Sequence, residues 1–260
     1  MAEHRPWWLL GGAAAAIAVV VAATVIIAGS DDGAPTGATA STAPQAPASD
    51  TRSPDAPAPA APTNPGSPPP VIVDKAALDG LLLPADRISQ LMNTTAMTTV
   101  PIAHRLLPGA ATPPHCTGTW GPAYETTYAG SGFTAVAAQA VFRDPTHKVA
   151  QAVVAFPDAD AAKTFYDKQI SDWNACKSTH VRFEYLGTST EIDVGVPVVT
   201  GDVLALLVVP TTTGIAGQQC ERDMTVRANV IVDVRACSPT VGSAGSSMVR
   251  EIGDKITKKP

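Results

Sequence analysis

Two cysteines, Cys220 and Cys237, enclose the stretch that most constrains how this chain can fold. Between them lie two arms in which apolar residues recur at every second position. On the second arm these residues are Val230, Val232 and Val234, and on the first arm they are Met224 and Val226. A period of two is typical of strands whose two faces meet different surroundings. The stretch predicts a β-hairpin closed at its open end by a Cys220–Cys237 disulfide.

The register of this hairpin has two alternatives. Opposing Val226 to Val230 matches the apolar faces and leaves the three-residue loop 227–229, in which Asn229 takes the left-handed conformation. The other register places the two cysteines directly opposite each other, but it also opposes Arg222 to Arg235. Because that register brings two like charges together, we predict the first one.

An uncharged run of 23 residues, from Trp7 to Gly29, lies near the amino terminus. It is long enough to cross a hydrocarbon core of about 30 Å as a helix. Small residues end the run, which also fits a cleaved signal peptide, but the apolar part of such a peptide is typically only about 7–15 residues long. We predict a cytoplasmic tail over residues 1–6, an uncleaved transmembrane anchor over 7–29, and an extracytoplasmic remainder. The expected localisation is the cell membrane, crossed once.

Residues 30–70 are dominated by Pro, Ala, Thr, Ser and Gly, and no aliphatic residue in them is larger than Ala. Such a composition cannot bury enough apolar surface to offset the entropy lost on ordering. It predicts a disordered linker that holds the folded region, residues 71–260, away from the membrane.

The folded region combines helical and strand patterns. Helical spacing occurs at 74–82, 84–92 and 158–173, and Ser238-Pro239 predicts the N-cap and first turn of a closing helix. Strand patterns occur at 133–142, 149–156, 181–186, 192–199 and 203–209, before the hairpin. We therefore predict an α+β fold, an antiparallel β-sheet flanked by α-helices.

Four cysteines in an exported domain predict two disulfides. The hairpin accounts for Cys220 and Cys237, which leaves Cys116 to pair with Cys176. No Cys-x-x-Cys spacing is present, so no thiolate metal site is expected.

These residues carry a family resemblance. The Leu81-Leu82 helix, Cys116, the segment Trp173–Cys176 and the hairpin Cys220–Cys237 resemble the PknH-like extracellular sensor domain of mycobacterial and related envelopes, over about residues 72–256. The resemblance implies disulfides between the first and second and between the third and fourth cysteines. It also implies a sheet flanked by helices, with a cleft that binds a ligand. With six residues before the anchor, no cytoplasmic kinase is expected.

The search for catalytic chemistry gives no candidate. The sequence contains no Gly-x-Ser-x-Gly, Ser-x-x-Lys, His-Glu-x-x-His or phosphate-binding Gly-Lys motif, and its five histidines are scattered. We therefore expect no enzyme, no cofactor and no metal. A net charge of −5 without clustered basic residues argues against nucleic acid as a partner.

Aromatic residues near the first cysteine are the predicted ligand-binding residues, namely Trp120, Tyr124 and Tyr128. Rings concentrated beside a disulfide form a rigid binding face, although the same rings also suit a core. The expected function is a membrane-anchored extracytoplasmic sensor that binds a small or cell-wall ligand. The alternative is a protein-interaction or scaffolding module with an envelope protein as its partner.

Overall fold

The structure is a computed structural model that describes residues 71–212 and 215–257. Its helices lie before, within and after the strands, with α5 and α6 much longer than the rest. They are α1 (Leu78–Leu81), α2 (Ala85–Leu91), α3 (Thr117–Trp120), α4 (Glu125–Tyr128), α5 (Ala159–Ala175) and α6 (Ala244–Thr257). Short 3-10 turns at Lys75–Ala77 and Pro114–Cys116 precede α1 and α3.

Ten described strands form one sheet in which every strand pair is antiparallel. They are β1 (Thr98–Thr99), β2 (Ala110–Thr112), β3 (Ala135–Arg143), β4 (His147–Ala155), β5 (His180–Tyr185), β6 (Thr188–Val194), β7 (Val198–Thr200), β8 (Val203–Pro210), β9 (Gln219–Arg227) and β10 (Val230–Ser238). The order across the sheet is β1-β3-β4-β10-β9-β8-β6-β5-β2, and β7 pairs with β8 beside β6. The predicted antiparallel sheet with flanking helices is confirmed.

Each face of the sheet carries its own core. On one face, α5 and the segment between β2 and β3 cover the strands, with Trp173, Tyr128 and Met224 fully buried. On the other face, α1, α2 and α6 pack against alternate residues of the central strands, such as Val232 and Val234 of β10. Both faces of β10 are covered, so a shift of its register by one residue would move every side chain of the strand into the opposite core.

The hairpin register predicted from the apolar faces is wrong. Val230 pairs with Arg227 and Cys237 lies directly opposite Cys220, with Cα atoms 4.0 Å apart, so Arg222 opposes Arg235. The turn is therefore one residue shorter than predicted, and Ala228 has a positive φ of 50° in the position expected for Asn229.

The structure accommodates the two opposed arginines because each has its own partner. Arg222 forms a buried ion pair with Asp233, whereas the Arg235 guanidinium lies over the ring of Trp120, 4.0 Å from its centroid. Asn229 has a different role from the one predicted, since its side chain bonds to the backbone of Val73 and Phe156.

Two element boundaries also differ from the prediction. The pattern over 192–199 is not one strand, because β6 ends at Val194 and β7 begins at Val198 after Gly195-Val196-Pro197. The closing helix does not start at Pro239. It begins at Ala244, and the Ser238 hydroxyl accepts a hydrogen bond from Thr240 N at 3.2 Å instead of capping a helix.

Both predicted disulfides are present. Cys116 bonds to Cys176 with Cα atoms 5.6 Å apart, which ties the start of α3 to the end of α5. Cys220 bonds to Cys237 across the ends of β9 and β10.

The predicted tail, anchor and linker, residues 1–70, lie outside the described residues. Of the helices that the structure describes, none has the length and apolar character needed to span a bilayer.

Candidate functional site

The segment 113–133 carries the aromatic residues predicted from the sequence, and the fold buries them to different depths. Tyr128, at the end of α4, is completely buried, and Tyr124 is 4% exposed. Trp120, at the end of α3, is half-buried. Tyr124 lies 4.7 Å from Phe183 between ring centroids, and Tyr128 stacks on Phe165 at 4.4 Å. These contacts place Tyr124 and Tyr128 in the core, while Trp120 is partly exposed.

Tyr128 is connected to a buried ion pair. Its hydroxyl donates to Asp233 Oδ2 at 2.9 Å, and Asp233 pairs with Arg222. Burial raises the pKa of the Tyr128 phenol well above its ordinary value, and the negative charge of Asp233 acts in the same direction. The phenol therefore stays protonated and serves as a donor that holds α4 against β10.

Arg235 contacts Trp120 through both its ring and its backbone. Besides stacking on the indole, Arg235 donates from Nη1 to the Trp120 carbonyl oxygen at 3.2 Å. Burial lowers the pKa of this guanidinium from its ordinary value. Because both ring and carbonyl are engaged, the orientation of Trp120 is fixed before any ligand binds.

A cleft of about 440 Å³ opens near the start of β3, and we call it the β3 cleft. Its volume suits a small molecule. Its lining combines charged and apolar side chains from four segments of the chain: Lys75, His104, Arg105, Leu106, Glu125, Phe133, Thr134, Ala135 and Val136.

Backbone pairing assembles this lining. In the segment before β2, Ala103 pairs with Ala138 of β3. Leu107 O of the same segment accepts a hydrogen bond from Glu125 N of α4 at 2.9 Å. Phe133 follows a turn in which Gly130 and Gly132 have positive φ angles of 69° and 75°. These two glycines shape the turn that leads into β3.

Tyr128 supports the β3 cleft from behind. Its ring meets Phe133 edge to face at 6.2 Å, and Phe133 contributes the aromatic surface of the lining. The predicted aromatic segment thus contributes to the cleft through Glu125 and through the packing behind Phe133. The ligand-binding role of Trp120, Tyr124 and Tyr128 stays a prediction.

The lining of the β3 cleft carries one more cationic than anionic side chain. Lys75 and Arg105 are cationic, Glu125 is the one carboxylate in the lining, and His104 lies 3.6 Å from Asp79 between Nδ1 and Oδ1. Sequence patterns did not single out Lys75, His104 or Arg105, because these residues are separated in the chain and meet only in the fold.

Two further clusters are weaker candidates. His115 lies close to Cys116 and Cys176, but both sulfur atoms belong to the disulfide, so no thiolate is left to bind a metal. On the exposed face of β5 and β6, His180 bonds to Asp193 and Glu191, and these partners raise the pKa of its imidazole, Asp193 most. His180 and Asp193 are exposed, and none of these three residues lines the β3 cleft.

Comparisons with known proteins agree with this architecture. The model of the PknH-like extracellular domain family matches residues 73–255. Serine/threonine-protein kinase PknH of Mycobacterium bovis is 30% identical over 202 residues, which cover 74% of this chain and 33% of the kinase. For the PknH kinase of Mycobacterium tuberculosis the identity is again 30%, and 31% of the kinase is covered. The chain spans about a third of the length of these curated relatives.

A crystal structure of the extracellular domain of PknH from Mycobacterium tuberculosis has the same fold. It superposes with a TM-score of 0.68 at 26% sequence identity, covering 72% of this chain and 98% of that one. Its description and that of the family model both refer to an extracellular domain. Since the family model matches well over half of the residues, this chain belongs to the family of PknH-like extracellular domains.

Proposed function

We propose that this protein is a non-catalytic sensor of the cell envelope that binds a small anionic ligand in the β3 cleft. The observation that carries the proposal is the convergence of Lys75 and Arg105 on a cleft that also presents Phe133. Charged groups on a partly apolar wall attract an anion and orient it, while the ring and the aliphatic lining bind its apolar part. Membership in an extracellular domain family supports a ligand that comes from outside the cytoplasm.

The proposed placement is an extracytoplasmic domain held at the membrane by the run from Trp7 to Gly29. In this arrangement the domain reports binding through another protein, or binding itself is the function.

Thermal unfolding of the full-length protein tests the ligand class. The panel consists of matched pairs, each an anion and its neutral counterpart, such as a carboxylate and its amide or a phosphate ester and its alcohol. An anion that fits stabilises the fold by about 2.7 kcal/mol at a hundredfold excess over Kd. For a domain of this size that raises Tm by roughly 5–10 °C. The neutral counterpart should give a much smaller rise.

Variants then locate the site. Arg105→Gln and Lys75→Gln should abolish the anion-dependent rise in Tm, whereas Arg143→Gln and Lys148→Gln, which remove charges outside the cleft, should preserve it. Trp120→Ala separates the β3 cleft from the aromatic site predicted from the sequence. Loss of the rise in Trp120→Ala, with the rise kept in Arg105→Gln, would move the site to Trp120.

A protein-interaction module is the second candidate, and one surface favours it. Val196, Val198 and Leu207 are each 40% exposed or more around the short strand β7, and Val198 and Leu207 point to the same face of the sheet. Exposed apolar side chains that lie together typically mark a contact with another protein. If no anion stabilises the domain, and if a saturable complex with one envelope protein is abolished by Val198→Lys, this surface carries the function instead.

A further inference from the structure

Two acidic residues of β9, Glu221 and Asp223, lie beneath the first turn of α6. They face α6 because they alternate with Arg222 and Met224, which contact the opposite core. Glu221 is 9% exposed and Asp223 is completely buried. Burying a carboxylate costs free energy unless its charge is compensated. The hydrogen bonds around the two acids therefore indicate whether the pair carries a bound proton.

Ser246 of α6 contacts both carboxyl groups. Its Oγ lies 2.8 Å from Glu221 Oε1 and 2.6 Å from Asp223 Oδ1. A serine hydroxyl has one hydrogen to donate, so it can supply only one of the two contacts. The other contact needs a hydrogen on a carboxyl oxygen.

The second oxygen of Asp223 is an independent indication of a bound proton. Asp223 Oδ2 is buried and has no hydrogen-bond partner within the described ranges 71–212 and 215–257. It lies so close to Gly245 that a Cβ atom at that residue would overlap it, and Glu221 Oε2 lies near the same point. Glu221 Oε2 already accepts from Gly245 N at 2.7 Å. An ionised Asp223 would leave a charged oxygen in this position without a hydrogen-bond donor. A protonated Asp223 carries no charge that needs compensation.

The surroundings provide little positive charge. Arg222 on β9 and Arg250 on α6 are the cations that act on Asp223. The neighbouring strands oppose the two acids with uncharged residues: Ala205 and Leu207 on β8, and Val234 and Ala236 on β10.

Two of the other charged residues of α6, Glu251 and Lys255, contact different elements. Glu251 pairs with Arg87 of α2, and Lys255 donates to the carbonyl oxygens of Leu81 and Leu82. Burial, reinforced by the charge of Glu221, raises the pKa of Asp223 to about 8. Burial likewise raises the pKa of Glu221.

We propose that Glu221, Asp223 and Ser246 form a proton-binding site that holds the first turn of α6 against β9 and loosens it when the proton leaves. Without the proton, two buried carboxylates share one hydroxyl and repel each other. The separation that follows changes the neighbouring cavity of about 410 Å³, whose lining includes Glu221, Ser243, Ser246 and Arg250. This inference does not depend on the function proposed for the β3 cleft.

The sign of the pH dependence follows from the two states. In the unfolded chain an aspartic acid loses its proton near pH 4, whereas folded Asp223 keeps its proton to about pH 8. Between these values the folded state binds the additional proton, so its stability is present at acidic pH and decreases as pH rises toward 8.

Comparison of the wild type with Asp223→Asn tests the site in the full-length protein. An asparagine amide donates a hydrogen as a protonated carboxyl group does, but it does not titrate. Relative to Asp223→Asn, the folding equilibrium constant of the wild type should fall about tenfold per pH unit between about pH 5 and about pH 7. Asp160→Asn, which removes an exposed carboxylate on α5, should show the wild-type dependence. A ratio of wild type to Asp223→Asn that does not change with pH overturns the proposal.

Two measurements on the wild type do not depend on a variant. The carboxyl carbon resonance of Asp223 should titrate with a midpoint near 8, and a midpoint near 4, the ordinary value, overturns the bound proton. Hydrogen exchange of the amides in the first turn of α6, corrected for intrinsic rates, should lose protection above pH 8 while α5 keeps it. Equal behaviour of the two helices overturns the role in holding α6.

Discussion

Arg222 lies wholly inside the domain, where its guanidinium has partners on every side. Nε donates to Gly118 O at 3.0 Å, Nη1 donates to the carbonyl oxygens of Asp223 and Val234, and the group lies over the ring of Trp173. Asp233 supplies the opposite charge. A buried ion pair of this kind contributes little compared with an apolar replacement, but removing one partner alone leaves an uncompensated charge.

Asp233→Ala should therefore destabilise the domain by about 3–5 kcal/mol. Tyr128→Phe, which removes only the hydroxyl that donates to Asp233, should cost about 1–3 kcal/mol. Denaturant unfolding under oxidising conditions measures both losses.

Glu184→Ala is the matched control for Asp233→Ala, because it removes a carboxylate that pairs with an arginine, Arg182, on the exposed face of β5. Solvent screens that pair, so the loss should be much smaller. An Asp233→Ala variant as stable as Glu184→Ala would show that Arg222 does not need its counter-ion.

At the scale of the elements, the hairpin β9–β10 joins the two halves of the sheet. β10 pairs with β4 along eight residue pairs and with β9 along nine, so a slip by one residue would disturb both ladders. The disulfide closes the hairpin at directly opposite residues, both of them buried. The covalent link and the two ladders therefore specify the same register.

Single replacements Cys220→Ser and Cys237→Ser and the double replacement should each cost about 3 kcal/mol, because a cross-link limits the unfolded ensemble and either replacement removes it. Denaturant unfolding measures the loss. Peptide mapping without reduction is the independent test of pairing, and a Cys116–Cys220 link would contradict both the structure and the expected effect.

At the scale of the whole molecule, the two faces of the sheet are covered by different means. One face is closed by α5, the aromatic segment and the Cys116–Cys176 disulfide, and the other by α1, α2 and α6. The β3 cleft and the cavity beside Glu221 are lined by different residues, none of which is shared. A ligand in the first and a proton near the second can thus be varied separately by experiment.

The predicted attachment to the membrane is tested on the mature protein. If the apolar run from Trp7 to Gly29 is an uncleaved anchor, amino-terminal sequencing should find the native start, and the protein should remain in the membrane fraction after washing with high salt. A mature sequence that begins near Ser30 or Asp31 would contradict the anchor and still agree with export.

The sequence alone was sufficient for the features that depend on local periodicity and on cysteine pairing. Alternation in β10, the helical spacing of α5 and the family resemblance predicted an α+β domain with Cys116–Cys176 and Cys220–Cys237 bridges, as found. The sequence alone predicts these elements because the period of apolar residues in a helix or a strand is a local property of the chain.

Features that depend on distant partners were decided by the tertiary structure. The hairpin register was predicted wrongly because the charges of Arg222 and Arg235 are compensated by Asp233 and by Trp120, and the sequence does not show which partner each arginine finds. Lys75 and Arg105 line one cleft because the fold brings distant segments together. The fold also places Ser246 within hydrogen-bond distance of both Glu221 and Asp223. Local pattern determined the elements, whereas burial and long-range contact determined their register, their charge partners and the candidate sites.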